Sequence, residues 1–475
     1  MVLSFLLNTI SLPFLGEINL TGSILLVFFI CLLAVVGFEF VNGFHDTANA
    51  VATVIYTKAL KPGYAIPWSG TFNFLGVFFG GVAVAMGILK LLPLDDLMTH
   101  PISVGACVVL AVLIASITWN LGTWYFGIPC SSSHTLIGGM IGASLGFTTL
   151  YKGSGVNWDK AKEIGYSLLL SPLVGFGVAA LLMWFIINVL KSKSLLHIPK
   201  GEDEHPPLLI RLLLILTCTL VSFFHGSNDG QKGVGLLMLI LIAFLPAKFA
   251  VNHAISDAKI LASLNQTEQV IRVTKTTDTA AQSLLVKTSA AVAKAKALLV
   301  DKKDTAKTYK FRKAIKSVNK DLAAIAGNKA IQLSEADQKS LKSATTELTR
   351  VTDFAPIYAI ALISISLGIG TMVGWKRIVV TIGEKIGNEH LNYAQGATAE
   401  IVAASTIGLA SGLGLPVSTT HVLSSGIAGS MAASGGTKNL NGNTLKNIAL
   451  AWVLTLPVSI ILAYVLFMFF HLFIG

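Results

Sequence analysis

An all-α polytopic membrane protein, assembled from a duplicated set of helices, is what this sequence predicts. Three observations carry that reading. Hydrophobic residues make up 53% of the 475 residues and charged residues 12%, against about 25% charge in soluble globular chains, and the mean hydropathy is +0.71. Apolar runs of bilayer-crossing length, about 20 residues, recur along the whole chain. Two motif pairs appear twice in the same order.

The long apolar runs centre on 21–41, 64–92, 101–125, 165–190, 207–225, 230–249, 354–374, 393–413 and 445–474. Shorter Gly- and Ser-rich apolar stretches at 45–61, 131–150 and 418–433 read as spans, broken helices or re-entrant hairpins. Together they predict roughly ten to twelve membrane elements. Residues 191–206 are a polar connector with Lys191, Lys193 and Lys200 and the acidic run Glu202, Asp203 and Glu204. Residues 250–352 are one large polar insertion, rich in Ala, Lys and Thr. Apolar residues at helical spacing around Leu284, Val286, Val292 and Leu298 predict two or three amphipathic helices packed on each other. The expected organisation is a first repeat at 1–190, the connector at 191–206, a second repeat at 207–249 and 353–475, and the helical insertion at 250–352.

A net charge of +11 would suit a nucleic-acid partner if it were spread over a binding face. Instead, residues 251–350 hold 18 Lys or Arg against 9 Asp or Glu, a net +9. A local basic excess beside membrane spans follows the positive-inside rule, which places the connector and the insertion in the cytoplasm. No nucleic-acid partner is expected. Cys31, Cys107, Cys130 and Cys218 lie in apolar stretches without C-x-x-C spacing, so they read as small core residues.

The duplication is explicit. Gly43 to Ala50 reads GFHDTANA, and 183 residues on Gly226 to Gly233 reads GSNDGQKG. Gly127 to His134 reads GIPCSSSH, and 287 residues on Gly414 to His421 reads GLPVSTTH. The two offsets differ by 104, close to the length of the insertion, so the second copy is interrupted by it. Paired halves with Gly- and Pro-broken stretches at matching places point to a secondary transporter whose substrate sits where the broken helices meet.

Asp46 and Asp229 fall at equivalent positions in apolar surroundings. An ionised carboxylate in the bilayer costs about 2.5–3.5 kcal/mol on the lenient insertion scale, so two of them point to a proton or cation site, with a structural cap or a pairing to Lys232 as the plainer reading. Asn49, Asn228 and Gln231 supply amide groups beside them, and His45 adjoins Asp46. The triplets Ser131, Ser132, Ser133 and Ser418, Thr419, Thr420 follow a proline, the pattern of a helix start whose exposed N–H groups and dipole favour an anion. Capping alone needs one hydroxyl, and each copy has three. His134 and His421 close the triplets and are candidates for proton relay or donation to the anion. Lys232 breaks the repeat by standing where the first copy has Asn49. Glu39, Glu384 and Glu400 are further acids in apolar context, most simply at helix ends. Gly142 to Gly146 matches G-x-S-x-G but lacks the strand–turn–helix context of a nucleophile elbow.

These motifs resemble the Pit family of inorganic phosphate transporters, and most closely its bacterial low-affinity, proton-coupled branch. The resemblance is carried by Asn42–Leu60, Trp119–Gly138, Phe224–Leu239, Thr381–Gly387 and Gly414–Ser425 and is weakest in 250–352. It implies ATP-independent, electrochemically driven uptake of phosphate, alone or as a neutral divalent-metal–phosphate complex, through inverted repeats in the bacterial inner membrane. The family octamer is usually written Gly-Ala-Asn-Asp-Val-Ala-Asn-Ala. The departures Phe44-His45 and Gly230-Gln231-Lys232-Gly233 favour a proton as the coupling ion. Expected partners are phosphate, protons and membrane lipid, with divalent metal ions and a second copy of the chain as further candidates; neither a cofactor nor an enzymatic activity is expected. The competing readings are sodium-coupled phosphate symport, a permease for another oxyanion such as sulfate, an intramembrane serine hydrolase on Ser133 or Ser144, and a non-transporting phosphate sensor.

Overall fold

A backbone in lipid must satisfy its own N–H and C=O groups, and a helix does so within one segment. The structure, a computed structural model, describes residues 10–12, 15–20, 22–199, 201, 204–299 and 305–475. Lys200, Glu202 and Asp203 of the connector lie outside the described residues. A short hairpin of β1 (Ile10–Leu12) and β2 (Gly16–Ile18) precedes the helices. Then follow α1 (Gly22–Asp46), α2 (Ala48–Tyr56), α3 (Pro62–Phe79), α4 (Ala83–Leu89), α5 (Leu94–Leu97), α6 (Ile102–Tyr125), α7 (Ser132–Tyr151) and α8 (Trp158–Phe185). After the connector come α9 (Leu208–His225), α10 (Gln231–Phe244) and α11 (Pro246–Phe249). The insertion holds α12 (Asp257–Val273), α13 (Thr279–Leu299), α14 (Thr305–Gly327) and α15 (Glu335–Thr352), and the chain ends with α16 (Ile357–Thr371), α17 (Lys376–Val380), α18 (Tyr393–Gly412), α19 (Thr419–Gly435) and α20 (Gly442–Ile474). Leu241–Ala355 is one compact unit and the remainder another.

Several of the expected membrane elements join into longer helices. Among the described residues five continuous helices are long and apolar enough to cross a membrane, or up to seven when bent pairs are counted. Runs read separately at 21–41 and 45–61 merge in Gly22–Tyr56, and those at 207–225 and 230–249 merge in Leu208–Phe244. The chain bends by 72° between α3 and α4, at Gly80 and Gly81, where Gly81 takes φ +81. The shorter stretches at 131–150 and 418–433 are the Gly- and Ser-rich helices α7 and α19.

The duplication governs how the helices pack. α1 packs on α16 and α6, and α9 packs on α3 and α18. α6 packs on α7 and α18 on α19; α7 packs on α20 and α19 on α8. Exchanging α1 with α9, α3 with α16, α6 with α18, α7 with α19 and α8 with α20 turns each pairing into the other. Glycine makes these approaches possible at matching positions. A β-carbon on Gly142 would meet Ile460 O at 2.0 Å, and one on Gly429, 287 residues on, would meet Phe176 O at 2.2 Å. Gly142 therefore serves helix packing, as small residues do in membranes.

Among the described residues the insertion holds four helices rather than two or three, and turns at 274–278 and 328–334 divide what periodicity alone joins. On α13 the buried stripe is Ala281, Leu285, Thr288, Val292, Ala295 and Leu299. Val286, expected in the core, is exposed. Its neighbour Leu285 packs instead against a core that includes Leu264, Phe311, Ile315, Val318, Leu322 and Leu348. Lys296 and Arg272 hold the Glu268 carboxyl below its usual range. The buried Arg312 donates through Nη1 to Ala250 O at 2.7 Å and to Thr352 O at 2.5 Å, tying the first and last residues of the insertion. Hydrogen bonds from a charged donor contribute about 1.5–3 kcal/mol each. Arg312→Met should therefore loosen the insertion by several kcal/mol; the readout is faster amide hydrogen exchange across 257–352 in the full chain, with exchange in α1, α6 and α20 unchanged.

Candidate functional site

Each Asp motif sits at a helix irregularity. α1 ends at Asp46, and Thr47 links it to α2, its hydroxyl donating to Gly43 O at 2.8 Å and Thr371 O at 2.9 Å. In the second copy Gly226–Gly230 forms a π turn between α9 and α10, the kind of bulge that interrupts helical register at functional positions. Glycine lets both turns lie against a neighbouring backbone. A β-carbon would come within 2.4 Å of Leu367 O at Gly43, and within 2.1 Å of Asn73 O at Gly226.

Each hydroxyl triplet starts a helix. Ser131 Oγ accepts from His134 N and Ser418 Oγ from His421 N, both at 3.2 Å, so the first member of each triplet is an N-cap. Three of the four remaining hydroxyls turn to the carboxylates, and Ser133 Oγ donates to Val417 O at 2.7 Å. Ser132 Oγ lies 2.8 Å from Asp46 Oδ2 and 3.3 Å from Asp229 Oδ2. Thr420 Oγ1 donates to Asp46 Oδ1 at 3.1 Å, and Thr419 Oγ1 to Asp229 Oδ2 at 3.4 Å. Asn49 Nδ2 donates to Thr420 at 2.9 Å and Thr419 at 3.3 Å. Lys232 Nζ donates to Asp229 Oδ1 at 2.6 Å and Ser133 Oγ at 2.5 Å. Asp46 is 2% exposed and Asp229 0%. All three amides, both aspartates and both triplets therefore gather around one buried centre, but their tasks differ. Asn228 spends its amide on Ser411 Oγ, Leu415 O and Val417 N, bracing the approach to the second triplet. Gln231 accepts from Val84 N and Ala85 N and donates to Gly80 O and Ser227 O, so it closes the break between α3 and α4.

The histidines divide likewise. His45 Nδ1 lies 2.9 Å from Asp46 Oδ1, and its Nε2 faces Thr123 Oγ1 at 3.3 Å and Cys130 Sγ at 3.4 Å. His134 and His421 hydrogen-bond no carboxylate among the described residues. Their rings lie 4.6 Å apart, and His421 stacks on Trp452 at 3.9 Å. Sequence reasoning missed His225. Its Nδ1 meets Asn73 Oδ1 at 2.8 Å, and its Nε2 stands 3.7 Å from Asp46 Oδ2 and 3.6 Å from Asp229 Oδ2. The available signal was its place one helical turn before Asp229. Glu400 was read as a helix-end acid, but it is fully buried and accepts from Thr53 and Thr217. Glu384 is exposed and accepts from Tyr56 Oη at 2.7 Å.

The centre presents acceptors and donors together. Ligand atoms of Asp46, His225 and Asp229 lie within 4.8 Å of one another, a spacing that could hold a cation. Asn49 Oδ1, His225 Nε2 and His421 Nε2 are buried without a hydrogen-bond partner among the described residues. A guest with both oxygens and protons fits such a mixture.

Residues 42–463 match the family described as the phosphate transporter family. The chain belongs to that family. Curated members share its length as well as its sequence. It is 39% identical to the low-affinity inorganic phosphate transporter PitA of Escherichia coli (strain K12) over 93% of this chain and 96% of that one. It is 38% identical to PitB of the same strain, over 95% and 97%. A probable low-affinity inorganic phosphate transporter of Bacillus subtilis (strain 168) is 30% identical over 93% and 95%. Among solved structures, the sodium-dependent phosphate transporter has the same fold, with TM-score 0.55 and 20% identity over 94% of this chain and all of that one. Membership fits the several membrane-spanning helices of a multi-pass inner-membrane protein and a transport rather than an enzymatic role.

Gln231 separates scaffold from chemistry. Gln231→Ala leaves Gly80 O, Ser227 O and Val84 N without their partners, and each orphaned buried group costs about 1–3 kcal/mol. The expected result is a melting temperature in detergent several degrees below that of the wild type.

Proposed function

We propose that this chain imports inorganic phosphate across the bacterial inner membrane by symport with protons. The observation that carries the reading is the pair Asp46 and Asp229, both buried and both within reach of the one Ser132 hydroxyl. A hydroxyl has a single proton to donate, so Ser132 serves one carboxylate at a time. The other is left open to a proton or to a protonated guest. Phosphate carries acidic protons near neutral pH and can donate to a carboxylate, which sulfate cannot do; this favours phosphate over the sulfate reading. Its remaining oxygens would be met by Thr419, Thr420 and Asn49, with Ser131 and Ser418 fixing the helix starts. His45, against Asp46, is the nearest group for passing the proton, while His134 and His421 line the junction between the two triplets.

A second cargo form has its own support. The cluster Asp46, His225 and Asp229 suits a divalent ion arriving with phosphate as a neutral complex. Labelled phosphate uptake into proteoliposomes, with the pH gradient, sodium and magnesium varied independently, separates these readings.

The repeats are inverted in this reading; the exchange of helix pairings between the two halves supports the two-fold relation that it requires. The insertion at 250–352 lies in the cytoplasm in this reading, with the support coming from the Lys-bearing short connector at 191–206, the kind of loop to which the positive-inside rule applies. It serves stability, regulation or docking rather than transport, since only one copy carries it and its core is its own.

Asp46→Asn and Asp229→Asn should each abolish uptake driven by a pH gradient while leaving insertion and monodispersity intact, because an amide takes up no proton near neutral pH. Wild-type accumulation by either variant would remove that residue from the coupling role.

Inversion has a separate test. Single cysteines at Ser131 and Ser418, in a background lacking the four native cysteines, should react with impermeant thiol reagents from opposite faces. Labelling of both from one face would exclude inverted repeats.

A further inference from the structure

The two copies differ most at the place where Asn49 aligns with Lys232. In the Asn49 copy the contacts are direct. Asn49 Nδ2 donates to Thr420 Oγ1 at 2.9 Å, and that hydroxyl donates to Asp46 Oδ1 at 3.1 Å. Ser133 is the counterpart of Thr420 and Asp229 the counterpart of Asp46. Between these two the Lys232 ammonium is inserted, 2.5 Å from Ser133 Oγ and 2.6 Å from Asp229 Oδ1. Ser133 turns its own proton away, to Val417 O at 2.7 Å. Its oxygen is thus presented to a cation rather than its hydrogen to a carboxylate.

A second asymmetry accompanies the first. Glu39 corresponds to Ser222 in the other copy, so it is an added carboxyl group. It is fully buried and accepts from Asn42 at 3.4 Å. Its other oxygen lies against the turn that carries Lys232: a β-carbon on Gly233 would fall 2.1 Å from Glu39 Oε1. An extra acid from the first half and an extra ammonium from the second therefore stand on either side of the same turn. Lys232 is 1% exposed and among the largest fully buried side chains. An ammonium has three donors and no acceptor, and oxygens from a carboxylate and a hydroxyl are also the ligands a hard metal cation takes.

We infer that the Lys232 ammonium is a tethered cation, permanently filling in the second half of the protein a position that would otherwise admit a small monovalent ion. Lys232 is then the residue that sets coupling-ion specificity. With that position occupied by the chain itself, no free monovalent cation enters there, and the proton handled by Asp46, Asp229 and the adjoining His45 is left as the exchangeable charge.

Emptying the position tests this. Lys232→Asn makes the two halves alike, and Lys232→Ala leaves a vacancy of ammonium size. The inference rests on the transport reading only in its uptake arm. In that arm, phosphate uptake by wild-type proteoliposomes under a fixed pH gradient should not respond to sodium. Uptake by Lys232→Asn should rise at least fivefold between zero and 100 mM sodium, with choline as the control, and Lys232→Ala should regain uptake with methylammonium. In the second arm, sodium or methylammonium should raise the melting temperature of the purified variants in detergent, and not that of the wild type. This arm needs no transport, so it stands even if the cargo assignment fails, while the wild-type uptake control tests that assignment by itself. Folded variants that respond to neither cation in either arm would overturn the inference, as would a sodium response in the wild type. Variants that fail to fold at every cation concentration would also overturn it, since a tethered cation is replaceable by a free one.

Discussion

Everything in the membrane unit is arranged around the problem of keeping two carboxylates in a place that water does not reach. Asp46 and Asp229 are buried, and burying an ion without compensation is prohibitive. Each has one partner close in sequence, His45 for Asp46 and Lys232 for Asp229, and the rest come from the triplets: Ser132 and Thr420 reach Asp46, while Ser132 and Thr419 reach Asp229. The copies are thereby interlocked, because each acid takes one hydroxyl from each triplet. Helix breaks at Thr47 and at the π turn after His225 set the acids against those hydroxyls, and the glycines at 43 and 226 allow the approach.

Much of this was legible in the sequence, and the reason is the repetition. Two motifs recurring at fixed offsets marked Asp46, Asp229 and both triplets before any geometry was known. What repetition could not show is what each polar atom faces. Asn228 and Gln231 read like their neighbours in the motif, yet most of their partners are backbone groups at 80–85, 227 and 415–417, contacts that no local pattern encodes. His225 escaped notice because its counterpart is Asn42, so the duplication gave it no weight. Glu400 is single too: its counterpart in α6 is Leu113, and its two threonine donors come from α2 and α9.

Helix boundaries and helix register were less legible, for a different reason. Hydropathy separates runs wherever polar residues intervene, and the polar residues here are those of the candidate site, housed inside continuous stretches. In the insertion, an Ala- and Lys-rich composition gives weak periodicity. The residue chosen for the core on α13 was one position off, with Leu285 buried where Val286 was expected. Packing against Phe311 and Ile315 decides that register, and the opposing helix is not visible from α13 alone.

The joined ends of the insertion carry an evolutionary consequence. Asn252 N donates to Val351 O at 2.9 Å, and Arg312 grips the carbonyls of Ala250 and Thr352. The points where the chain leaves for this unit and returns from it are thus neighbours, however many residues lie between. Lengthening a loop adds only about 0.6 kcal/mol per doubling once its ends are held together. A genome can therefore enlarge, trim or exchange this segment without shifting the flanking helices along their axes, so lineages are free to diversify here while the paired halves stay fixed.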